Sequence, residues 1–410
     1  MNRENFKVYK ANIIGGGFAG MVLAIALAKE FGGDNIMLLE GNDRLGKKVL
    51  STGNGQCNIT NKNVLCGHYH GNNINFENNV LSEFSQQFLI SFFKDLGLYI
   101  MPDGDKYYPL SKQASSVLDA LRFKISSLKI NVKLNSKAIG TNREKHFVTT
   151  LENGEKIYSE NLIIATGGKS AKHTGSDGNG YNLAKSFNHN ITPLYPSLVQ
   201  LKCDKEQIKG LKGLKQYSKL SGEIGGKIVC QTEGDVLFTD YGVSGNATFY
   251  VSAYLSGKQN KSVIIDLCPQ IDKNELIDFL NYKVKNCSYL KIEDLFSGII
   301  NKKVALAVLK NKFNVRFDDD VSKINVVKAV EAVKNFKLAV LGDTGFDNSQ
   351  VTRGGVDVVS VDHKSMQSKL VKGLYFAGEI LDVDGDCGGY NLQWAFSSAM
   401  AVAKSIIGKN

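Results

Sequence analysis

A glycine turn near the N-terminus constrains the fold of this chain more than any other stretch. Residues 11–14 are mostly apolar and end at Gly15-x-Gly17-x-x-Gly20, and residues 21–29 are apolar and rich in good helix formers. The pattern predicts a strand, a tight turn and a helix. In such a unit Gly15 permits the turn, Gly17 lets a pyrophosphate approach the backbone, and Gly20 lets helix and strand pack closely. The phosphates then lie at the positive end of the helix.

An acidic residue follows the second apolar run at the spacing that a dinucleotide site requires. Residues 35–39 lead into Glu40, twenty residues after Gly20, where a carboxylate accepts hydrogen bonds from a pair of ribose hydroxyls. The alternative is a glycine-rich loop of some other α/β protein, but here strand, helix and acid all stand at the expected positions. We therefore predict a dinucleotide site with an unphosphorylated adenosine ribose.

Length and composition are those of an ordinary globular protein. The 410 residues are 43% hydrophobic and 22% charged, enough for two or three domains with sizeable cores. No run of about 18 uninterrupted apolar residues occurs, so we expect neither a membrane span nor a signal peptide. The seven cysteines are widely spaced and include no Cys-x-x-Cys pair, which argues against a disulfide scaffold and a zinc site. We expect a cytoplasmic protein without a metal.

The net charge of +10 and the pI near 9.0 arise partly from two local clusters. Residues 202–227 contain seven lysines against three acidic residues, and residues 302–316 contain five basic residues and no acid. Both clusters lie far in sequence from the glycine turn, so cofactor phosphates do not account for them. Two interpretations stay open: a lysine-rich solvated surface, or a surface for an anionic partner such as RNA.

The middle of the chain changes its periodicity several times. Residues 46–61 are polar and rich in glycine, which predicts a functional loop after the ribose-binding acid. Glycine-separated alternation over 199–266 predicts a small β-domain or barrel. Apolar periodicity predicts helices over 81–96, 114–128, 275–284, 293–312 and 322–337. Strands are predicted over 130–134, 145–151, 156–158 and 161–165.

Two further strands end in glycine, and the second of them indicates the cofactor. Residues 161–165 end in Thr166-Gly167-Gly168, which can lie on the far side of the same cofactor. Residues 372–377 end in Gly378-Glu379 and are followed by residues 388–393 and an Ala/Ser-rich helix to residue 407. A cofactor held by both chain ends must be long and enclosed, which fits a tightly bound FAD better than an exchanging NAD.

Taken together, the motifs resemble those of two-dinucleotide-binding-type flavoproteins, specifically the BaiN/YhiN-like family, also described as the aminoacetone oxidase family. The resemblance covers nearly the whole chain and rests on these motifs: Gly15-x-Gly17-x-x-Gly20, Gly55-Gln56-Cys57-Asn58-x-Thr60-Asn61, and the stretches 165–168, 238–245, 350–356 and 388–395.

The resemblance implies an α/β fold, with a discontinuous Rossmann-like FAD-binding domain and inserted β-barrel and helical subdomains. The implied boundaries are 1–193 for the first part of the FAD-binding domain, 194–268 for the barrel, 269–337 for the helical subdomain, 338–356 for a return strand of the β-domain, and 357–410 for the second part of the FAD-binding domain.

Three positions depart from the family pattern. Gln56, Asp240 and Asn246 stand where family members usually carry arginine, histidine and proline. Glutamine in place of arginine removes a cation from a loop expected near the flavin or its substrate. The departures leave the FAD assignment intact but place the substrate in question.

We expect the FAD to contact residues from both chain ends. The predicted cofactor-binding residues are Gly15, Gly17, Phe18, Ala19, Gly20, Glu40, Lys47, Lys48, Gly53, Asn58, Ala138, Thr166, Gly167, Gly378, Glu379, Asp384, Gly389, Tyr390, Asn391 and Leu392. Amides of residues 389–392, at a helix N-terminus, are placed to stabilise negative charge at the N1/C2 carbonyl edge of reduced flavin. Asp384 suits a ribityl hydroxyl.

The candidate catalytic residues are Cys57 and Asn58. Cys57 lies in the glycine-rich loop and Cys387 lies beside the flavin-binding turn. Each thiol is either a proton donor or a small buried filler. No Cys-x4-Cys pair follows the first helix, which argues against a disulfide reductase.

The resemblance implies reduction of a C=C bond conjugated to a carbonyl, in bile-acid enones or in a uracil ring of ribosomal RNA. Hydride passes from flavin N5 to the β-carbon, and an acid protonates the α-carbon. NAD(P)H would be a transient electron donor, because no second complete glycine-rich site is evident. The basic clusters favour an RNA partner. The alternatives are a small-molecule enone reductase, an amine or aminoketone oxidase, and a non-catalytic flavin-bound scaffold.

Overall fold

The computed structural model describes residues 6–65, 67–73 and 75–408. The chain forms two compact units, unit 1 from residues 1–195 and 351–410 and unit 2 from residues 196–350. Each unit has a hydrophobic core of its own.

The strands are β1 (Val8–Ile14), β2 (Ile36–Leu39), β3 (Thr60–Asn61), β4 (Tyr69–His70), β5 (Ile100–Asp103), β6 (Lys106–Pro109), β7 (Asn131–Lys133), β8 (Ala138–Arg143), β9 (Phe147–Leu151), β10 (Lys156–Ile164), β11 (Tyr195–Ser197), β12 (Leu201–Cys203), β13 (Lys215–Ile224), β14 (Lys227–Phe238), β15 (Gly242–Ser244), β16 (Lys261–Asp266), β17 (Phe336–Asp343), β18 (Val351–Arg353), β19 (Leu374–Phe376) and β20 (Asp384–Gly385). The α-helices are α1 (Phe18–Phe31), α2 (Asn78–Glu83), α3 (Gln86–Asp95), α4 (Ala114–Ser127), α5 (Asn179–Lys185), α6 (Asn246–Leu255), α7 (Lys273–Asn286), α8 (Lys302–Lys310), α9 (Val326–Lys334) and α10 (Tyr390–Ile407).

A parallel sheet organises unit 1. Strands β7, β2, β1, β10 and β19 run parallel in this spatial order. Ile14 of β1 is in register with Leu39 of β2 and Ile164 of β10. Because these strands end together, the residues that follow them meet at the carboxyl edge of the sheet, where open α/β sheets bind ligands. These residues are Gly15, Glu40, Ala165 and Ala377.

Strand β10 pairs antiparallel with one neighbour and parallel with another along the same edge. We predicted separate strands over 156–158 and 161–165, but Lys156–Ile164 is one continuous strand. Its first half pairs antiparallel with β9, and its second half pairs parallel with β19. Residues 159–160, which separate the two predicted strands, therefore lie where the strand changes partners.

The single helix predicted over residues 81–96 is two helices in the structure, α2 and α3. The break falls at Phe84, whose carbonyl oxygen accepts hydrogen bonds from Gln393 Nε2 (2.9 Å) and Ser397 Oγ (2.7 Å) of α10. A carbonyl held by α10 is not available to the next turn of its own helix. The apolar spacing of the predicted helix places Phe88 on its core face, whereas in the structure 42% of the Phe88 surface is exposed.

Unit 2 is built around a closed barrel. Its strand order is β12-β15-β14-β13-β16-β17, and all pairs are antiparallel. Helices α7, α8 and α9 lie in sequence between β16 and β17. The predicted α/β class, with a Rossmann-type sheet, a barrel and helical regions, is confirmed.

Two helices of unit 2 are shorter than predicted because side-chain caps start them later. Helix α8 begins after Asn301, whose side chain accepts from the Lys303 N–H, and residues 293–301 are a short 3-10 turn and loop. Asn325 caps α9 by accepting from the Lys328 N–H. Asparagine is among the preferred residues at this position.

No helix in the described ranges combines the length and the apolar character needed to cross a membrane. The six described cysteines are free thiols, and Cys66 lies outside the described residues.

Candidate functional site

The three glycines of the N-terminal turn have different surroundings. A Cβ on Gly15, where φ is +113°, would lie 2.4 Å from the Ala165 carbonyl oxygen, and one on Gly20 would lie 1.9 Å from the Gly15 oxygen. A Cβ on Gly17 would have nothing within 4 Å. Gly15 and Gly20 are therefore required by packing, whereas Gly17 faces open space. The structure thus leaves a cradle at the position where the sequence predicts a pyrophosphate.

Helix α1 presents bare amides to this cradle. Its N-cap, Gly17, makes no side-chain cap bond, and its first turn contains no acidic residue. The first amides of a helix have no partners within the helix, and its dipole favours an anion there. The predicted residues Phe18, Ala19 and Gly20 supply these amides. This arrangement fits a bound diphosphate.

Glu40 lies at the end of β2 and holds the loop in place. Its Oε2 accepts from the Gly16 N–H (3.0 Å), and its Oε1 accepts from the Asn42 N–H (2.8 Å). The Ser136 N–H donates to the Glu40 carbonyl oxygen (2.9 Å), which brings the next predicted residue, Ala138, into this region. Ala138 is buried, and its carbonyl accepts from Asn179.

The two predicted lysines are engaged with carboxylates. Lys47 Nζ lies 2.7 Å from Asp43, and Lys48 Nζ lies 2.7 Å from Glu379. Glu379 also accepts from the Thr352 N–H (2.9 Å). Lys48 and Glu379 are 331 residues apart in sequence, so this ion pair joins the loop after β2 to the C-terminal part of unit 1.

The remaining glycines of the predicted site take left-handed backbone conformations. Gly53 has φ +57°, and a Cβ there would lie 2.7 Å from the Asn58 nitrogen. Gly167, which follows Thr166, has φ +72°. Gly378 has φ +78°, and a Cβ there would lie 3.2 Å from the Cβ of Ala19. Gly378 therefore lies against helix α1 and brings the two chain ends together.

A second turn with a helix behind it lies at Gly388-Gly389. Both residues have positive φ, +145° and +96°, and α10 begins at Tyr390 without a side-chain cap or an acidic residue in its first turn. Asn391 braces the turn, because its side chain accepts from the Gly385 N–H and donates to the Gly385 oxygen, both at 2.8 Å. Leu392 follows and packs partly buried against the core.

An unsatisfied acceptor lies beside this turn. A Cβ on Gly389 would lie 2.8 Å from Asn58 Oδ1, and that buried oxygen has no hydrogen-bond partner among the described residues. Buried polar atoms normally have partners. A ring N–H of a bound flavin would satisfy this oxygen, so the residues present fit the FAD that the sequence predicts.

Asp384 has a partner that the sequence did not indicate. The carboxylate is fully buried, and its two oxygens lie 3.1 Å from Nε and Nη2 of Arg353. A bidentate pair of this kind is a strong charge-assisted interaction. The structure therefore gives Asp384 a clear structural contact, and its predicted bond to a ribityl hydroxyl stays a prediction.

Cys57 is enclosed. Its side chain has 0% exposure, its backbone is left-handed with φ +57°, and burial raises the pKa of the thiol to about 11. The thiol is therefore neutral across the physiological pH range. Because nucleophilic and metal-binding chemistry requires the thiolate, Cys57 is confined to roles open to a neutral S–H.

We predict that Cys57 resists alkylation. In folded protein at pH 8, iodoacetamide should modify the partly exposed Cys287 and leave Cys57 unmodified, because a thiol with a raised pKa forms thiolate only as the pH approaches about 11. Peptide mass spectrometry measures both sites in one sample, and denatured protein is the control in which both react. Equal labelling of the two in folded protein would contradict the buried placement.

A polar cluster and a cation in this unit were not predicted from the sequence. His68 and His70 both bond the carboxylate of Asp386, and Arg353 pairs with Asp384. The sequence contains one indication of this cluster, because two of the six histidines, His68 and His70, are only two residues apart. Among the described residues, no group of three His, Cys, Asp or Glu side chains is arranged to hold a metal ion.

The Rossmann-type sheet and this pair of glycine turns define the class of the protein, a FAD-dependent oxidoreductase. Residues 9–405 match the family described as HI0933-like protein Rossmann domain, and the chain belongs to that family.

Three relatives match almost end to end. The chain is 33% identical over 404 residues to a 3-dehydro-bile acid delta(4,6)-reductase of Clostridium scindens, covering 97% of this chain and 98% of the relative. It is 30% identical over 407 residues to a ribosomal RNA dihydrouridine synthase of Haemophilus influenzae and 29% identical over 405 residues to one of Escherichia coli, each covering 97% of this chain and 98% of the relative. The predicted resemblance to BaiN/YhiN-like flavoproteins is confirmed.

Proposed function

We propose that this protein is a FAD-dependent reductase of a C=C bond conjugated to a carbonyl. The observation that carries the proposal is the pair of names among the relatives, a delta(4,6)-reductase of a 3-dehydro-bile acid and an rRNA dihydrouridine synthase. Both names describe saturation of a ring C=C bond conjugated to a carbonyl. Because this chain matches both kinds of relative over 97% of its length, the reaction type is the property that it is best placed to share.

The residues of unit 1 would bind the cofactor from both ends. The open turn at Gly17 and the bare N-terminus of α1 would hold the diphosphate, and Glu40 would accept from the adenosine ribose. FAD, when bound, supplies the hydride chemistry. The uncapped amides of α10 would then stabilise negative charge on the ring carbonyl edge. An NAD(P)H donor and a cytoplasmic location complete the proposal.

The two candidate substrates differ in the molecule that carries the conjugated carbonyl, which is either a small-molecule enone or a uridine of rRNA. Several cluster lysines already have acidic partners, with Lys212 2.8 Å from Asp240 and Lys215 2.8 Å from Asp235. These contacts support a solvated surface and a small-molecule enone. A second candidate, uridine in rRNA, is supported by the net charge of +10 and by a cavity of about 560 Å³ in unit 2 whose lining includes Lys312, Lys323 and Lys328.

Reoxidation of the reduced flavin distinguishes the candidates. The purified FAD-loaded protein is reduced anaerobically by NADH or NADPH and mixed either with a panel of enones or with an unmodified large-subunit rRNA transcript. We expect the flavin absorbance to return with one acceptor class, together with the saturated product or dihydrouridine by mass spectrometry. Bleaching by an aminoketone alone would indicate an oxidase, and a flavin that no donor reduces would indicate a scaffold. Either result would overturn the proposal.

If RNA is the substrate, the lysines without acidic partners should matter most. Lys312 and Lys328 line the same cavity and form no ion pair with a described carboxylate. We predict that the double variant Lys312→Glu, Lys328→Glu binds an rRNA fragment about 10-fold or more weakly than wild type. The dependence of that binding constant on salt concentration should also be smaller. The matched control is Lys212→Glu with Lys215→Glu, which should have the smaller effect. Equal affinities for wild type and both variants would remove RNA as a candidate.

A further inference from the structure

A carboxylate bridges two histidines beside the second glycine turn. Asp386 Oδ2 lies 3.0 Å from His68 Nδ1, and Asp386 Oδ1 lies 2.7 Å from His70 Nε2. The Asp386 side chain is 1% exposed, whereas the side chains of His68 and His70 are 30% and 15% exposed. The backbone holds this arrangement, because β20 pairs with β4 and the Asp386 N–H donates to the His68 oxygen (2.9 Å).

The cluster lies against the first residue of α10. The His68 ring stacks on Tyr390 with centroids 4.4 Å apart, and Tyr69 Oη donates to the Tyr390 oxygen (3.0 Å). Tyr390 directly follows Gly389, the residue packed against the unsatisfied Asn58 Oδ1. His68 and Asn58 therefore flank the same turn, the part of unit 1 that fits the flavin ring.

The hydrogen bonds among the described residues leave Nε2 of His68 available for chemistry. A carboxylate bonded to Nδ1 keeps a proton on that atom and orients the ring, as in Asp-His catalytic pairs. Nε2 of His68 then faces away from Asp386, and no described residue bonds it. His70 uses its own Nε2 for the carboxylate and is more enclosed. Of the two rings, His68 is the one that can meet a substrate.

This inference rests on the proposed function: we propose that His68 is the proton donor for the C=C reduction. The two-electron reduction adds a hydride from the reduced flavin to the β-carbon and a proton from His68 Nε2–H to the α-carbon. The bond from the flavin to the hydride, the C=C π bond and the Nε2–H bond break, and two C–H bonds form. The flavin is left oxidised, and the His68 imidazolium becomes the neutral imidazole protonated at Nδ1. Solvent returns the proton to His68. Asp386 is a positioning residue that acts through His68, and His70 bonds the other oxygen of the buried carboxylate.

This assignment differs from the sequence-based candidate Cys57. The Cys57 side chain is fully enclosed, whereas part of the His68 ring is open to solvent. A donor that turns over repeatedly must be reprotonated, and access to water allows that exchange. The two candidates predict opposite outcomes for their variants.

Two matched variants test the proposal, each keeping a donor to Asp386 while removing one imidazole. His68→Asn places its amide near the former Nδ1, and His70→Gln places its amide near the former Nε2. We expect His68→Asn to slow substrate-dependent flavin reoxidation by about 100-fold or more, within the range for loss of a general acid. His70→Gln and Cys57→Ala should stay within about tenfold of wild type. The substrate dissociation constant, read from the spectrum of the oxidised flavin, should not change in His68→Asn.

Rescue and spectroscopy separate a chemical role from a structural one. Added imidazole should restore reoxidation in His68→Gly, where the space over Tyr390 can admit it, and should leave the rate of His70→Gly unchanged. In the ¹⁵N spectrum of the apoprotein, His68 should show the Nδ1–H form, and titration with FAD should shift its resonances. If His68→Asn loses its flavin, His68→Phe keeps the stack on Tyr390 and replaces it in the kinetic test.

The outcomes distinguish this proposal from the one on which it rests. If wild type reduces no enone or uridine, both proposals fall. If wild type is active and His68→Asn stays within tenfold, or if Cys57→Ala is the variant that loses activity, the reductase stands and His68 is not its acid. Unshifted His68 resonances on FAD binding would also overturn the assignment, whatever the kinetics.

Discussion

Gly17→Ala should yield a folded protein that has lost its flavin. Gly17 has φ −75° and ψ −172°, a conformation that alanine adopts freely, and the added Cβ would meet no protein atom within 4 Å. If the diphosphate occupies that open space, the methyl group takes the place of the phosphate oxygens. We expect the FAD dissociation constant of the apoprotein to rise by about 100-fold or more, equivalent to about 3 kcal/mol of binding free energy. Fluorescence titration with FAD measures it.

Other glycines of the same unit provide the controls. Gly140→Ala also adds a methyl group to open space, but on β8, and should leave FAD affinity unchanged. Gly20→Ala places its Cβ 1.9 Å from the Gly15 oxygen and should impair folding itself. The Gly17→Ala apoprotein should therefore keep its melting temperature to within about 2 °C, whereas Gly20→Ala should not. Wild-type affinity in folded Gly17→Ala would show that the diphosphate does not bind at this turn.

Arg353→Met should destabilise unit 1 strongly. The substitution leaves the fully buried Asp384 carboxylate without its two contacts to the guanidinium. Breaking a buried pair by removing one partner costs about 3–5 kcal/mol, because the remaining charge stays buried. We expect the free energy of unfolding of the flavin-free protein to fall by that amount, measured by chemical denaturation.

An exposed ion pair of the same unit is the matched control. Lys133 lies 2.6 Å from Glu155, and about two fifths of each side chain is accessible (36% and 40%). Because solvent screens such pairs, Lys133→Met should cost less than about 1 kcal/mol. Arg353→Met with Asp384→Leu should recover much of the loss, since it removes both charges. If Arg353→Met alone costs no more than Lys133→Met, the Asp384 carboxylate is not held by Arg353.

The parts of this protein that were predictable depend on residues close together in sequence. A strand, a glycine turn and a helix at residues 11–29 leave a signal in ten to twenty consecutive positions, as do the alternation of the barrel strands and the turn at Gly388-Gly389. Predictions were less accurate where a contact from a segment distant in sequence changes the local structure. The 81–96 helix is broken because α10 takes the Phe84 carbonyl, and β10 continues through polar residues because its partner changes.

The sequence alone therefore carries the class of fold, the nucleotide-binding turns and the family, because turn geometry and periodicity are local properties. Only the tertiary structure determines which side chains meet at the second glycine turn. His68 and Asp386 are 318 residues apart, and Asp384 pairs with Arg353 across 31 residues. The orphaned oxygen of Asn58 is likewise visible only once Gly389 lies against it. Contacts between distant segments follow from the folded backbone and leave no periodic pattern in the chain.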